Sequence, residues 1–156
     1  MTNLDQYRKN VAGIIFKDKK ILLVHNKTHE PNFWKFPQGG IDGDETENES
    51  LLRELSEELG TGKFKVIEKS LITHQYDWPP EVQLKKGFLG QLQTFWYVEF
   101  LGEDNDFDLS HDQLDFFKWV TIQDLPSCFQ FEDMKELISK IVQELLHKNF
   151  IYNQNE

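Results

Sequence analysis

Residues 39–61 read GGIDGDETENESLLRELSEELGT, a glycine-rich turn running into a short segment dense in carboxylates. Thr46 and Glu49 have the S/T-x-x-E spacing of a capping box, with Asp44 and Glu47 as an alternative. Leu51, Leu52, Leu55 and Leu59 then form an apolar stripe at helical spacing. Gly60 is placed to end the helix in the left-handed conformation. Glu54, Glu57 and Glu58 stand at i, i+3 and i+4, which share one helix face. At ~100° per residue that face is centred about 115° from the leucine stripe, so one face packs while the other stays wet. Three clustered carboxylates repel one another unless a cation sits among them. Oxygen-only ligands favour a hard divalent ion such as Mg²⁺.

Outward from this stretch, alternation of strand-like and helix-like segments sets the fold class. VAGIIF at 11–16 and ILLV at 21–24 read as a hairpin around the polar turn KDKK at 17–20. FWKFP at 33–37 is a short aromatic extended piece. After the helix, KFKVIEKSLITHQY at 63–76 reads as one or two strands, and the two prolines of YDWPP break it. LKKGFLGQ at 84–91 reads as a loop, and LQTFWYVEFL at 92–101 as the clearest strand in the chain. An acidic loop over 102–115 leads to a last strand, FFKWV at 116–120, and TIQDLP at 121–126 reads as a short turn or helix. Phe131, Met134, Leu137, Ile138, Ile141, Val142 and Leu145 recur at helical spacing and predict a C-terminal helix over about 131–148. The order β-β-α-β-β-α predicts an α/β sandwich with a mixed sheet. With no interior linker, 1–156 is expected to form one domain.

Charge and cysteine usage narrow the function classes. Lys plus Arg total 17 against 27 Asp plus Glu, a net charge of −10, which argues against a broad basic nucleic-acid surface. It leaves room for a phosphorylated ligand at a metal site, because a bound cation reverses the local charge. The single cysteine, Cys128, rules out an intramolecular disulfide and reads as a small buried hydrophobe. The polar N-terminal stretch lacks a signal-peptide core, and no apolar run approaches membrane-spanning length. A reducing, cytoplasmic setting without a membrane partner is the expectation.

By itself E-x-x-E-E is most often a solvated helix face. Here it lies inside the longer pattern G-x5-E-x7-R-E-U-x-E-E-x-G-U, where U is bulky and apolar. Gly39, Glu45, Arg53, Glu54, Leu55, Glu57, Glu58 and Gly60 match it, and Thr61 alone departs. The segment resembles the Nudix box of the Nudix hydrolases. WKFPQGGID at 34–42, YDWP at 76–79, GQLQTFWYV at 90–98 and YRKNVAGIIF at 7–16 are similar to one subfamily, the bacterial RNA 5′-pyrophosphohydrolases and dinucleoside polyphosphate hydrolases.

The resemblance implies a Nudix-type α/β/α sandwich and hydrolysis of phosphoanhydrides with Mg²⁺ or Mn²⁺. It assigns Gly39, Glu54, Glu57 and Glu58 to the metal, and Arg53 with Glu45 to a supporting ion pair. Glu57 is the first choice of base, with Glu54 the alternative. The implied partner is a nucleotide or an RNA 5′ end, without an extended nucleic-acid surface. Arg8, Lys9, Lys27 and Lys35 are candidate phosphate contacts, although a lone lysine is more often just solvated. Gln38 is a polar group for the mouth of the site. Tyr76, Trp78 and Phe131 are core aromatics by default, with stacking on a base as the alternative. The histidines show no metal-ligand spacing.

Two departures bear on substrate. The subfamily's pattern T-P-E-F-D-x-W is met here by His111-Asp112-Gln113-Leu114-Asp115, with Gln113 in the glutamate's place and Asp112 or Asp115 available to compensate. Its S-F-K-R at the last helix becomes Gln130-Phe131-Glu132-Asp133, which removes the basic pair that would meet a phosphate backbone. Gln113 also supports the rival expectation of a nucleotide sensor without turnover. A housecleaning hydrolase of nucleoside triphosphates or nucleotide sugars is the second rival.

Overall fold

The computed structural model describes residues 3–111 and 113–148. The hairpin comes first: β1 (Asn3–Lys17) and β2 (Lys20–Asn26) are joined by Asp18 and Lys19, both at positive φ (51° and 65°), the two-residue turn whose twist matches the strands. The two strands stay paired only at the turn, Phe16 with Ile21 and Lys17 with Lys20. Beyond it they part. A short strand β4 (Gln38–Gly40) takes β2's place beside Asn10–Ala12, while β2 pairs with β3 (Trp34–Lys35) and with β7 (Leu114–Thr121). This divergence seats the Gly39-Gly40 pair in the body of the sheet.

On its other side β1 runs parallel to β6 (Phe88–Phe100), which pairs antiparallel with β5 (Phe64–Asp77). The sheet is therefore mixed, in the order β3-β2-β1-β6-β5 with β4 on β1 and β7 on β2. Alternation along β1 divides the core in two. Ala12, Ile14 and Phe16 pack with Leu137, Ile138, Ile141 and Leu145 of α3 (Glu132–Lys148). Val11 and Ile15 pack with Leu51, Leu55 and Leu59 of α1 (Glu47–Leu59). One helix on each face makes the expected α/β/α sandwich.

The region read as one or two strands over 63–76 is a single strand, β5, with register shifts between Val66 and Glu68 and between Lys69 and Thr73. Other sequence expectations need correction. Residues 84–91 are not a loop. Pro80–Lys86 form a short helix, α2, closed by Gly87 at φ 78°, and β6 already begins at Phe88. Its second proline sits where a helix begins, at a position with no intrahelical N–H to lose. β1 starts well before Val11, drawn out by pairing with β6. The short β3 and β4 add to the predicted strand order. Leu52 leaves the apolar stripe and is exposed, and Phe131 lies just before the last helix rather than in it.

Candidate active site

The helix α1 begins as its capping box dictates. Thr46 Oγ1 accepts from the Glu49 N–H at 3.1 Å, and Glu49 Oε1 accepts from the Thr46 N–H at 3.2 Å. It ends at Gly60, φ 73°, where a side chain would also run into the backbone of Asp108. Both ends being set, Arg53 points back over the loop. Its Nε and Nη2 grip the two oxygens of Glu45, each at 2.9 Å, and Nη2 also donates to the Gly40 carbonyl at 3.3 Å. Ser50 Oγ adds a third bond to Glu45 at 2.9 Å. The Arg53 hydrogen bond foremost holds the Glu45 carboxyl down at about 2. The same partnership pushes the guanidinium further above its ordinary range.

The three box glutamates differ in environment. Glu54 is mostly buried, and burial pushes its carboxyl up against the opposing pull of Arg53. Glu58 is buried and accepts from the Gln38 N–H at 2.9 Å. Glu57 is the open one, with its side chain 56% exposed. Arg53 Nη1 lies between Glu54 (3.0 Å) and Glu57 (3.3 Å). With these side chains so engaged, no three His, Cys, Asp or Glu side chains among the described residues converge as a metal cage.

The donor set nevertheless suits a divalent ion. The main chain of Gly39 is pressed onto the carboxyl of Glu54, so that a Cβ there would overlap its Cγ, Cδ and Oε2. A desolvated carboxylate is stabilised by positive charge; Arg53 supplies part of it to Glu54 at 3.0 Å, and the carboxylates of Glu54, Glu57 and Glu58 are the oxygen ligands that a hard divalent ion takes.

Alternation along β4 puts Gly39 on the α1 side and Gln38 and Gly40 on the other. Arg8 lies against Gly40 there, its guanidinium where a Cβ would be. On that side a cleft of about 380 Å³ opens, lined by Lys35, Gln38, Tyr76 and Phe131 among others. Gln38 thus links the two parts, its N–H on Glu58 and its side chain on Gln93. Phe131 is half-exposed, 5.3 Å from the ring of Phe33, and Tyr76 accepts from Gln91 Nε2 at 2.8 Å. Neither is a core aromatic. Trp78 lies elsewhere, beneath Lys86 Nζ at 5.1 Å. Cys128 is half-buried on the cleft wall rather than in the core, its Sγ 3.5 Å from the Asp124 carbonyl.

Around the missing glutamate, Gln113 takes a bond from Asn26 Nδ2 at 3.4 Å, and its carbonyl accepts from the Lys27 N–H. Asp115 is engaged by His25 Nδ1 at 2.7 Å, which takes it out of the role of replacement ligand in this arrangement. Asp112 lies outside the described residues. Asn10, Phe33, His74 and Gln93 do not stand out in the sequence as site residues, yet they line or support the cleft, and Asp133, met in the sequence only as a lost basic position, lines it too. The one local signal is the pair Gln91 and Gln93 interrupting an apolar strand.

A family model described as the NUDIX domain matches residues 6–145. This chain belongs to the Nudix family. An RNA pyrophosphohydrolase of Wolbachia pipientis wMel is 33% identical over 147 residues, covering 90% of each chain. One from a Nitratiruptor species is 36% identical over 126 residues, covering 77% of this chain and 81% of the other. Among solved structures, a C. elegans Ap4A hydrolase in a binary complex gives a TM-score of 0.66 at 22% identity, covering 90% of this chain and 98% of that one. That level of identity carries the Nudix fold alone. No helix among the described residues is long and apolar enough to cross a membrane.

Proposed function

We propose that the protein hydrolyses phosphoanhydride bonds in nucleoside polyphosphates, with 5′-triphosphate RNA ends and dinucleoside tetraphosphates as the leading substrates. Release of pyrophosphate is the expected outcome at an RNA end. The carrying observation is the link through Gln38 between the Glu58 carboxylate and an aromatic-walled cleft. A polyphosphate and its base need such a pair of neighbouring sites. The RNA pyrophosphohydrolase relatives support the same substrate class.

Glu54, Glu57, Glu58 and the Gly39 carbonyl would hold Mg²⁺, or Mn²⁺ in its place. Such an ion neutralises phosphoanhydride charge and acidifies water. Glu57, the open carboxylate of the three, accepts the proton of the attacking water, with Glu54 the alternative base. Arg53 fixes where the glutamates stand and keeps the loop against the helix. Arg8 and Lys35 receive the phosphates, and Tyr76 and Phe131 flank the base. Glu132 and Asp133 at the start of α3 disfavour a following phosphodiester chain. That points to short or terminal substrates rather than extended RNA.

The test is a product analysis with Mg²⁺ or Mn²⁺ across triphosphorylated RNA, dinucleoside tetraphosphates and mononucleotides. Release of phosphate or pyrophosphate is expected, and none from any substrate refutes the reading. Tight binding without turnover would instead favour a nucleotide sensor, the reading that Gln113 supports. Glu57→Gln is expected to lower turnover by orders of magnitude at an unchanged melting temperature. Full activity would remove Glu57 from the mechanism.

A further inference from the structure

The floor of the cleft is a row of carboxamides whose orientation is fixed by their own hydrogen bonds. Gln38 Nε2 donates to the Phe36 carbonyl at 3.2 Å, a group that only accepts. Gln38 Oε1 is therefore the atom that accepts from Gln93 Nε2 at 2.8 Å. The second hydrogen on that nitrogen goes to Asn10 Oδ1 at 2.7 Å. Both N–H bonds of Gln93 are thus directed into the protein, which leaves its Oε1 as an acceptor with no donor among the described residues. No fully buried side-chain polar atom among them lacks a partner. The Oε1 is consequently the part of Gln93 that reaches open space, although the residue as a whole is 5% exposed. The space it borders is the cleft.

A second acceptor borders the same cleft. Asp133, in the first turn of α3, lines it, and no hydrogen bond to its carboxylate is formed among the described residues. Its charge reaches His74 and Tyr76, whose rings lie 4.9 Å apart on the cleft wall. Burial holds His74 below its ordinary pKa, so Lys35 is the fixed cation among the lining residues. A polyphosphate is drawn toward Lys35 and repelled by Asp133. What lies against Asp133 is therefore the part of a nucleotide that carries no negative charge, and against two acceptors it brings N–H donors. The aromatic walls require it to be flat.

We propose that Gln93 and Asp133 are specificity-determining residues that make this cleft select a nucleobase carrying an exocyclic amino group. Gln93 Oε1 and the Asp133 carboxylate accept its N–H bonds. A carbonyl at the amino position sets oxygen against oxygen, and a bare C–H leaves an acceptor unpaired in a confined space. This rests on the nucleotide reading above.

The test compares symmetric dinucleoside tetraphosphates bearing adenine, guanine or hypoxanthine, so that the same base enters the cleft from either end. Hypoxanthine lacks the amino group of both other purines. With Mg²⁺, its kcat/KM is expected to be about 10- to 100-fold below that of the better aminated purine. Asp133→Ala, on the exposed rim, is expected to bring that ratio toward one at an unchanged melting temperature. Gln93→Met, checked for folding by its melting curve, should do the same. Equal kcat/KM for all three compounds overturns the inference and leaves the hydrolase reading standing. So does a ratio that neither variant alters. Hydrolysis of none, with no binding by calorimetry, overturns the inference, and overturns the hydrolase reading as well when triphosphorylated RNA and mononucleotides also release nothing.

Discussion

Gly39→Ala separates the chemistry of the box from its folding. The backbone at Gly39 is not among the positive-φ positions, so alanine meets no conformational strain there. Its Cβ would instead overlap Cγ, Cδ and Oε2 of Glu54. Those atoms are the far end of a flexible side chain, so the carboxyl swings aside while helix and strand keep their places. Its Cδ would lie 2.0 Å from that Cβ where ordinary contact begins at 3.4 Å, so the carboxyl moves by 3.4 − 2.0 = 1.4 Å or more, and a misplacement of even about 1 Å costs roughly 10²-fold in turnover. Stability should barely change. Replacing glycine at a compatible position contributes about 0.4–1 kcal/mol through the unfolded chain, offset by strain in the Arg53–Glu54 pair. The melting temperature is then expected to stay within about 3 °C of wild type, since 1 kcal/mol is ~2–4 °C at this size. The assay is kcat on a dinucleoside tetraphosphate with Mg²⁺, alongside thermal melting of the same preparation. Wild-type kcat with an unchanged melt would show that the position of Glu54 is immaterial to the reaction. A melting temperature lower by about 10 °C would show that the main chain gives way rather than the side chain.

Three further outcomes follow from the packing and the charges. Tyr97 is fully buried, and its OH donates to Glu144 Oε1 at 2.5 Å, beside Ser70 Oγ at 2.5 Å and the Leu71 N–H. Tyr97→Phe removes one charge-assisted bond between the sheet and α3, worth about 1.5 kcal/mol, and should lower the melting temperature by ~3–6 °C; an unchanged melt refutes the role. A carboxyl NMR titration should find Glu45 with a midpoint near 2, moving toward about 4.3 in Arg53→Gln. Its folded value is depressed, so its stabilising effect is complete above the unfolded value and lost as pH falls toward 2. His25 presents both ring nitrogens to acceptors, Asp115 Oδ1 and the Glu30 carbonyl, and the Asp115 bond above all raises its pKa. That contribution is full below the unfolded value of 6.5 and disappears as pH rises through the folded one. Melts from about pH 6 to about pH 8 should therefore show a decline that Asp115→Asn flattens; an identical slope in the variant would be inconsistent with the pairing.

Sequence reading succeeded where neighbours in the chain supply the forces. The Thr46–Glu49 cap, the Gly60 stop and the turn at Asp18-Lys19 all rest on contacts within a few residues, and Leu51, Leu55 and Leu59 were legible from helical spacing, although what they pack against is distant in the chain. The Arg53–Glu45 grip was expected from the resemblance to the Nudix box, and it forms because Arg53 reaches back past the helix start to the loop. The short helix at Pro80–Lys86 is also local. Its two prolines read as a break, whereas the second one opens the helix and Gly87 closes it. By contrast, neither the open position of Phe131 nor the half-buried one of Cys128 follows from residue type. Each depends on where the segment before α3 crosses the sheet edge.

The chain by itself determined the helix that carries the carboxylates, the alternation of strands and helices, and the family to which it belongs. Those properties live in spacing, and spacing is a property of the sequence. The tertiary structure alone decided which residues stand beside the box. The parting of β1 from β2 admits β4 to the sheet, and β4 carries Gln38 from Glu58 across to Gln93. The cleft then gathers residues from β3, β4, β5, β6 and the start of α3. Strand register and the packing of α3 bring those residues together, and both are set by burial of the two cores rather than by any local pattern. So residues 39–61 announce the chemistry, and the long-range pairing around them determines what the cleft can hold.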